Sequence, residues 1–314
     1  MSLVSLSLSD TSLRQVTARA SVAVAATLIV AKLLAFWQTG SVALLSSLVD
    51  SGVDLLASLI TAYGVAKAAK PPDADHRFGH GKAEALAALV QALFIVGSSL
   101  FLVIEAVDRF TNLQSLAHET TGYLVMGFAI LLTALLLLLQ THTIRRTKSL
   151  AIASDRLHYM GDILINAAVI ATLYLQKKFN IFWIDPLFAT FIAGGMVLGA
   201  FTITRKVLDV LMDAERPQKE RKKIVELASA IEGVLGVHDL RTRFDGERRF
   251  IDMHVEMAPQ TTLEQAQKIC DLIVKKIRTT YKNADIDIHP DPAGLSELRL
   301  DELVQEEDRT EEDV

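Results

Sequence analysis

The sequence predicts a membrane bundle of six helices followed by a small soluble domain of mixed α and β structure. Hydrophobic residues make up 51% of the 314 residues and the mean hydropathy is +0.32, which excludes an ordinary soluble enzyme and a disordered chain. A helix that crosses a hydrocarbon core of ~30 Å needs ~20 largely apolar residues. Six stretches qualify, here called spans 1 to 6: residues 16–37, 42–66, 85–107, 123–141, 150–175 and 184–208.

Basic residues indicate the orientation of these spans, because short loops rich in Lys and Arg stay in the cytoplasm. Such residues precede span 1, lie between spans 2 and 3 and between spans 4 and 5, and close span 6. The opposite loops hold fewer, and only the pair Lys177 and Lys178 argues against the assignment. We therefore expect an even number of spans with the N- and C-termini in the cytoplasm.

After span 6 the composition becomes that of a soluble domain. The patterns predict an amphipathic helix over 217–232, a hairpin over 243–257 that turns at Asp245 and Gly246, a helix over 262–281 and a strand over 284–289. The order αββαβ predicts a ferredoxin-like or metallochaperone-like α+β fold with both helices on one face of the sheet. The expected domains are a transmembrane domain at 1–212, an α+β domain at 213–292 and an acidic, disordered tail at 293–314.

Charge and cysteine content narrow the function classes. The net charge is −5, and most of the acidic excess lies in the predicted tail, so the chain lacks the basic face that a nucleic-acid-binding protein needs. Its single cysteine, Cys270, excludes a disulfide framework and any metal site built from several cysteines. The eight histidines are therefore the candidate nitrogen ligands for a metal.

Two spans carry ionisable residues at helical spacing. Asp50 and Asp54 are four residues apart in span 2, and His158 and Asp162 are four apart in span 5, so each pair lies on one helix face. A charged carboxylate at this depth costs ~3 kcal/mol, so such groups usually face the protein interior. If the two faces meet, three carboxylates and one imidazole form a ligand set suited to Zn²⁺ or Cd²⁺.

A second candidate metal site lies in the loop between spans 2 and 3. Asp73, His76 and His80 fall within eight residues there, beside Gly79 and Gly81. Glycines allow backbone conformations that other residues rarely adopt, so this loop can wrap its ligands around an ion.

A third candidate site lies in the soluble domain, which holds His238, His254, His289 and Asp291. The alternation of apolar and polar residues places His254 and His289 on the polar sides of their strands. Neutral imidazoles and a carboxylate from different strands can form one or two zinc sites. Their occupancy should depend on pH, because the imidazoles must be deprotonated to bind.

Each site also has a purely structural interpretation. The intramembrane acids and His158 could pair with Lys32 or Arg156, or bind only water. The loop residues could be ordinary surface groups, and the histidines of the soluble domain could be half-exposed side chains of a sheet.

These motifs, in this order, resemble the cation diffusion facilitator family, and in particular its bacterial zinc and ferrous-iron efflux pumps. The resemblance rests on DxxxD in span 2, HxxxD in span 5, the loop DHRFGHGK and a histidine-bearing αββαβ domain, and it extends from Arg14 to Asp291. It implies a transporter rather than an enzyme, which exports Zn²⁺, with Cd²⁺ and Fe²⁺ as further substrates, in exchange for protons. It also implies a homodimer in the lipid bilayer of the bacterial inner membrane, working by alternating access.

The resemblance implies roles for three sets of residues. They are a transport site (Asp50, Asp54, His158, Asp162), a loop site (Asp73, His76, His80) and a binuclear zinc site at the dimer interface that stabilises the dimer (His238, His254, His289, Asp291). Lys82 and Asp213 match a salt bridge that interlocks the dimer near the membrane surface, and Asp209 is near enough in the sequence to compete with Asp213 for this role. Gln267 stands where related pumps can place a histidine, which puts the second cytoplasmic ion in doubt.

Two other function classes remain open from the sequence. A membrane metalloenzyme would need an open coordination position and a general base, and the HExxH motif is absent. A membrane-anchored metal sensor would bind metal through the histidines of the soluble domain without moving it across the membrane.

Overall fold

The computed structural model describes residues 9–39, 42–111, 120–179 and 183–294. The chain divides into two compact units, Met1–Leu208 and Asp209–Val314. The predicted acidic tail lies outside the described residues from position 295 onward.

Six long helices precede the soluble domain, as predicted. They are α1 (Asp10–Thr39), α2 (Val42–Ala68), α3 (Lys82–Thr111), α4 (Thr120–Thr147), α5 (Leu150–Phe179) and α6 (Ile184–Leu211). Within the described ranges, all except α5 are long and apolar enough by composition to cross a membrane. Helix α5 has the required length, but Asp155, Arg156 and Asp162 interrupt its first half. Such residues are tolerated in a spanning helix when they face the inside of the bundle.

Small residues allow the helices of the bundle to approach closely. A Cβ atom added to Gly64 of α2 would lie 2.3 Å from the Cβ of Ala87 on α3. A Cβ on Gly161 of α5 would lie 2.3 Å from the terminal methyl group of Met196 on α6. Since lipid tails are as apolar as the helices, close contact of this kind holds membrane helices together. These contacts bring α3 against α2 and α6 against α5.

Buried polar contacts join helices that are distant in sequence. The Arg14 guanidinium lies 2.9 Å from the carboxylate of Glu84, and this buried ion pair joins α1 to α3. The Gln140 amide donates to Ser21 Oγ at 3.1 Å and to Asp155 Oδ2 at 2.8 Å. Gln140 on α4 therefore ties α5 to α1 at a point one turn before His158.

The soluble unit has the predicted order αββαβ. Its elements are α7 (Gln218–Ser229), β1 (Gly236–Phe244), β2 (Arg249–Met257), α8 (Leu263–Thr280) and β3 (Ala284–Pro292). The sheet order is β1-β2-β3, with β1 and β2 antiparallel and β2 and β3 parallel. The predicted turn is present: Asp245 Oδ1 accepts the backbone N–H groups of Glu247 and Arg248 at 2.8 and 2.7 Å.

Two strand boundaries differ from the predicted ones. Strand β1 begins at Gly236 rather than at 243. Its pairing with β2 shifts register between His238 and Arg241, where Asp239 has a positive φ of 48°. Such a bulge interrupts the alternation from which a strand is predicted. Strand β3 continues through Pro290 to Pro292. It is an edge strand, where the missing N–H of proline is tolerated.

The core of the soluble unit lies between the helices and one face of the sheet. Ile224 of α7 and Ile273 of α8 are 1% and 0% exposed and pack in one cluster with Ile251, Met253 and Val255 of β2. Helix α8 starts with a capping box of Thr262 and Gln265. Because side chains alternate along β2, its polar residues point to the face of the sheet opposite the core.

The contact of α7 with β2 should depend on pH through Glu220. This carboxylate accepts hydrogen bonds from Arg249 Nε at 2.7 Å and from Arg216 Nη2 at 3.2 Å. Partial burial opposes ionisation, but the hydrogen bond from Arg249 and the guanidinium charges lower the pKa of Glu220 from its usual 4.5. A lowered pKa means that the stabilisation is complete above pH 4.5 and is lost as the pH falls through the folded-state value.

We expect Glu220→Gln to destabilise this contact by roughly 1 kcal/mol at pH 7, with a smaller difference from wild type in acid. Hydrogen–deuterium exchange of the α7 amides measures the effect. Glu226→Gln, which alters an exposed ion pair of the same helix with Lys223, is the matched control. Equal exchange in both variants at pH 7 would contradict the prediction.

Candidate metal sites

The intramembrane site lies where α2 meets α5. Asp54 Oδ1 is 2.8 Å from His158 Nε2, and Asp162 follows His158 by one turn of α5. One ligand atom each from Asp54, His158 and Asp162 lies within 4.8 Å of the others. His158 is buried, and in the described part of the chain its Nδ1 atom has no hydrogen-bond partner. A buried imidazole and two carboxylates at this separation suit a divalent metal of the zinc type.

Asp50 is placed differently from the other three predicted ligands. It lies one turn before Asp54 on α2, is exposed, and does not belong to the group within 4.8 Å. The role of Asp50 as a fourth ligand stays a prediction.

Lys32 reaches this site from α1. Its ammonium group donates to Ser51 Oγ at 2.6 Å and to the Ser47 carbonyl at 3.1 Å, both on α2. Arg156, the other basic candidate, donates to Thr141 Oγ1 at 2.9 Å. The described contacts of both basic residues are therefore with serine and threonine oxygen atoms, while Asp54, His158 and Asp162 form a cluster that can hold a metal.

Polar residues beside His158 in α5 form hydrogen bonds with neighbouring helices. The sequence patterns did not identify these residues as functional. The Tyr159 hydroxyl is 2.8 Å from Ser58 Oγ and donates to the Ser21 carbonyl at 3.2 Å. Asp155, held by Gln140, is buried and lies one turn before Tyr159. These contacts fix the position of α5 relative to α1 and α2. The only signal in the sequence is that polar residues recur at helical spacing inside apolar spans.

The loop site brings together all three of its predicted residues. Asp73 Oδ1 is 3.2 Å from His76 Nδ1, and Asp73 Oδ2 is 3.3 Å from His80 Nε2. The His76 and His80 rings have centroids 4.6 Å apart. Gly79 adopts a φ of +88°, which returns the chain toward Asp73. The contact of the buried His80 Nε2 with Asp73 is not aligned as a hydrogen bond, and His80 Nδ1 has no hydrogen-bond partner among the residues that the structure describes.

The hydrogen bonds around Asp73 favour its ionised form, which is the form that binds a metal. Its Oδ1 atom accepts the backbone N–H groups of His76 at 2.8 Å and Asp75 at 3.1 Å. The hydrogen bond from the His76 backbone, which favours the charged form, lowers the pKa of Asp73 below its usual 3.8. The carboxylate therefore stays ionised when the surroundings become mildly acidic.

The site in the soluble unit follows from the register of its sheet. His238 pairs with His254 across β1 and β2, and His254 pairs with His289 across β2 and β3, so the three imidazoles form a row. Asp291 is buried, and its Oδ2 atom is 2.7 Å from His254 Nδ1 and 3.6 Å from His238 Nε2. Its Oδ1 atom is 3.4 Å from His289 Nε2. One carboxylate thus contacts all three histidines.

Glu256 is a member of this site that sequence reasoning missed. It lies two residues after His254 on the same face of β2, and its Oε1 atom is 3.4 Å from His238 Nδ1. A Cβ atom on Gly236, the residue opposite in β1, would lie 2.8 Å from Glu256 Oε2. Glycine at position 236 therefore leaves room for this carboxylate. The sequence carried one signal for Glu256: it lies two residues after His254, and residues two apart in a strand share a face.

Two other predictions concern Gln267 and the pair of Lys82 and Asp213. The Gln267 side chain donates to Asp271 at 2.9 Å on the surface of α8. Asp213 Oδ1 lies 3.5 Å from Arg243 Nη1, and Lys82 is the first residue of α3. The salt bridge between Lys82 and Asp213 and the weakened second ion stay predictions.

Comparison with known proteins finds matches for both units of the chain. Residues 18–212 match the profile of the cation efflux transmembrane domain, and residues 216–293 match that of the cation efflux protein, cytoplasmic domain. The cation-efflux pump FieF of Shewanella oneidensis is 40% identical over 277 residues, which is 88% of this chain and 93% of that protein. FieF of Cronobacter sakazakii is 37% identical over 278 residues, which is 88% of this chain and 92% of that protein. A solved MamM CTD is 28% identical and covers 24% of this chain and 93% of that chain, with a TM-score of 0.23.

Proposed function

This chain belongs to the cation efflux family, and on that premise we propose that it exports divalent metal cations, Zn²⁺ above all, from the bacterial cytoplasm in exchange for protons. The observation that carries the proposal is the cluster of Asp54, His158 and Asp162 inside a bundle of apolar helices. Ionisable groups are expensive to keep within a membrane, so such a cluster marks the path of an ion.

The chemistry of the cluster couples metal to protons. Closely spaced carboxylates cannot all remain ionised unless a cation lies between them. A divalent ion supplies that charge, and when it leaves, protons bind to the same oxygen and nitrogen atoms. Metal and protons therefore exclude each other at Asp54, His158 and Asp162, which makes their exchange obligatory.

Alternating access supplies the direction of transport. Rocking of helices around a fixed site would expose the cluster first to the cytoplasm and then to the outside. The site releases metal outside and returns with protons, which it loses to the proton-poor cytoplasm. The membrane potential and the pH gradient both favour inward movement of protons and therefore drive metal export.

The ligand types suggest which metals compete. The cluster has more carboxylates than imidazoles, and oxygen-rich sets are less selective for Zn²⁺ than sets with several nitrogen ligands. Cd²⁺ and Fe²⁺ are therefore the expected further substrates.

The cytoplasmic unit is proposed to regulate assembly. It carries the family's cytoplasmic domain, and we infer a homodimer in the inner membrane with both termini in the cytoplasm. The row of His238, His254 and His289 around Asp291 would bind zinc and stabilise that dimer. The loop site of Asp73, His76 and His80 is proposed to bind metal on the same side of the membrane.

Reconstitution into sealed vesicles tests the function. With a zinc-sensitive dye and a pH-sensitive dye inside, an imposed pH gradient should drive zinc movement, with protons moving in the opposite direction. A protonophore should stop the gradient-driven movement. Metal binding without flux would instead favour a membrane-anchored sensor, and chemical turnover of a bound substrate would favour a metalloenzyme.

A further inference from the structure

Two rows of residues lie next to each other on the sheet of the soluble unit. The first is the row of three histidines. The second lies two residues away along each strand, on the same face, and consists of Gly236 on β1, Glu256 on β2 and Asp291 on β3, which pair in register. The second row therefore brings two neighbouring carboxylates to the same side of the histidines, and glycine takes the third position.

His238 has one ring nitrogen near each of these carboxylates. Its Nδ1 atom is 3.4 Å from Glu256 Oε1, and its Nε2 atom is 3.6 Å from Asp291 Oδ2. The Nδ1 atom is buried and has no hydrogen-bond partner among the residues that the structure describes. A neutral imidazole carries its proton on one nitrogen and a lone pair on the other. The group that accepts the proton therefore decides which nitrogen can bind a metal.

The two carboxylates are placed differently with respect to a metal ion. One ligand atom each from His238, His254 and Asp291 lies within 4.8 Å of the others, and in the described part of the chain Glu256 does not belong to that group. Asp291 thus lies with the histidines that can share an ion. Glu256 lies near the nitrogen of His238 that does not face Asp291.

We propose that Glu256 is a positioning residue, which accepts the Nδ1–H of His238 and leaves the lone pair of Nε2 for the metal. Metal-binding histidines usually donate their other N–H to a carboxylate or a carbonyl, which fixes the tautomer and the ring orientation. An N–H···O hydrogen bond is about 2.9–3.0 Å long, so a small rotation of the long Glu256 side chain completes this one. The inference rests on the proposed function, because it concerns the zinc site of the soluble unit.

Gly236 provides the space that the Glu256 carboxylate occupies. A Cβ atom on Gly236 would lie 2.8 Å from Glu256 Oε2 and 3.1 Å from its carboxyl carbon. These atoms are the end of a flexible side chain, so Gly236→Ala should fold and move the carboxylate away. The substitution changes the position of Glu256 without changing its charge, and it alters no metal ligand.

Binding of Co²⁺ to the full-length protein in detergent tests this inference. Co²⁺ binds the same nitrogen and oxygen ligands as other divalent metals, and its visible absorption depends on which atoms coordinate it. The background carries Asp54→Asn and Asp73→Ala, so that binding at the other two candidate sites does not interfere. We compare Glu256→Leu, Glu256→Gln, Gly236→Ala and the double variant of Gly236→Ala with Glu256→Leu. Glu256→Ala takes the place of Glu256→Leu if the latter does not fold.

The matched control is Asp252→Leu. Asp252 lies on the same face of β2 as Glu256, but it pairs with Arg241 of β1 rather than with Gly236. Its replacement removes one carboxylate from the same strand and should leave the Kd for Co²⁺ at the wild-type value.

We expect Glu256→Leu to raise the Kd for Co²⁺ about 10–100-fold. Glu256→Gln, whose amide oxygen can still accept the Nδ1–H, should give an intermediate value. Gly236→Ala should raise the Kd when Glu256 is present but not when it is already Leu, because the two changes act through the same contact. The absorption spectrum at saturation should match that of the wild type in each variant, because the ligands are unchanged.

Three results would overturn the inference. They are a changed spectrum in Glu256→Leu, which would make Glu256 a direct ligand, an equal effect of Gly236→Ala with and without Glu256, and an unchanged Kd in both single variants. If Co²⁺ binds but zinc does not affect dimer formation, the proposed regulation of assembly fails. The Co²⁺ constants would still decide the role of Glu256.

Discussion

Replacing Asp54 with Asn is expected to reduce metal flux in vesicles by about 100-fold or more. The substitution keeps the size of the side chain but removes the carboxylate charge that His158 contacts at 2.8 Å. Loss even of a group that only supports a metal ligand lowers affinity or activity by about 10–100-fold, and a direct ligand should matter more. Zinc uptake and proton counterflow, recorded in the same vesicles, should disappear together.

The control for this variant is Asp10→Asn. Asp10 is an exposed carboxylate at the start of α1, where it pairs with Arg146 at 2.7 Å, outside the cluster. The same chemical change there should leave flux near the wild-type rate. Normal zinc uptake by Asp54→Asn, in protein that elutes and melts like the wild type, would refute the assignment of Asp54 to the transport site.

Replacing Asp291 with Asn is expected to abolish the effect of zinc on dimer formation. Asp291 contacts His238, His254 and His289, so its charge is the shared anionic ligand of the row. In the wild type, zinc should lower the dimer dissociation constant by about tenfold, since a ligand that binds the dimer more tightly than the monomer stabilises the dimer by mass action. Sedimentation of the full-length protein in detergent, with zinc and with a chelator, measures the constant.

Asp285→Asn is the matched control for the dimer experiment. Asp285 lies on β3 as Asp291 does, but it is exposed and pairs in register with Phe250, away from the histidines. Its replacement should preserve the response to zinc. If zinc still lowers the dimer dissociation constant of Asp291→Asn, the histidine row does not control dimer formation.

Local patterns predicted most of the fold because its signals are local. Apolar stretches of the required length located the six membrane helices, and turn residues located the hairpin. The two errors arose where tertiary structure overrides the pattern. A bulge at Asp239 hid the start of β1, and the position of β3 at the sheet edge allowed Pro290 and Pro292 to continue the strand.

The sites were predictable to the extent that their members share one element. The spacing of His158 and Asp162, and the short loop from Asp73 to His80, indicated their clusters directly. Glu256 and the placement of Lys32 depend on contacts between elements, namely β1 with β2 and α1 with α2. A spacing rule applies within one helix or strand, so it does not reveal which residue of another element completes a site.

The row of three histidines has a consequence for ion size. The ring centroids of neighbouring imidazoles are 5.3 Å apart for His238 and His254 and 4.8 Å apart for His254 and His289, close to the separation of paired strands. The hydrogen bonds of the sheet hold the three backbone positions, so only rotation of the imidazole side chains can adjust the row to ions of different radius. The row therefore begins from a spacing that the sheet sets, and a larger ion must be accommodated by changes of rotamer rather than by movement of the strands.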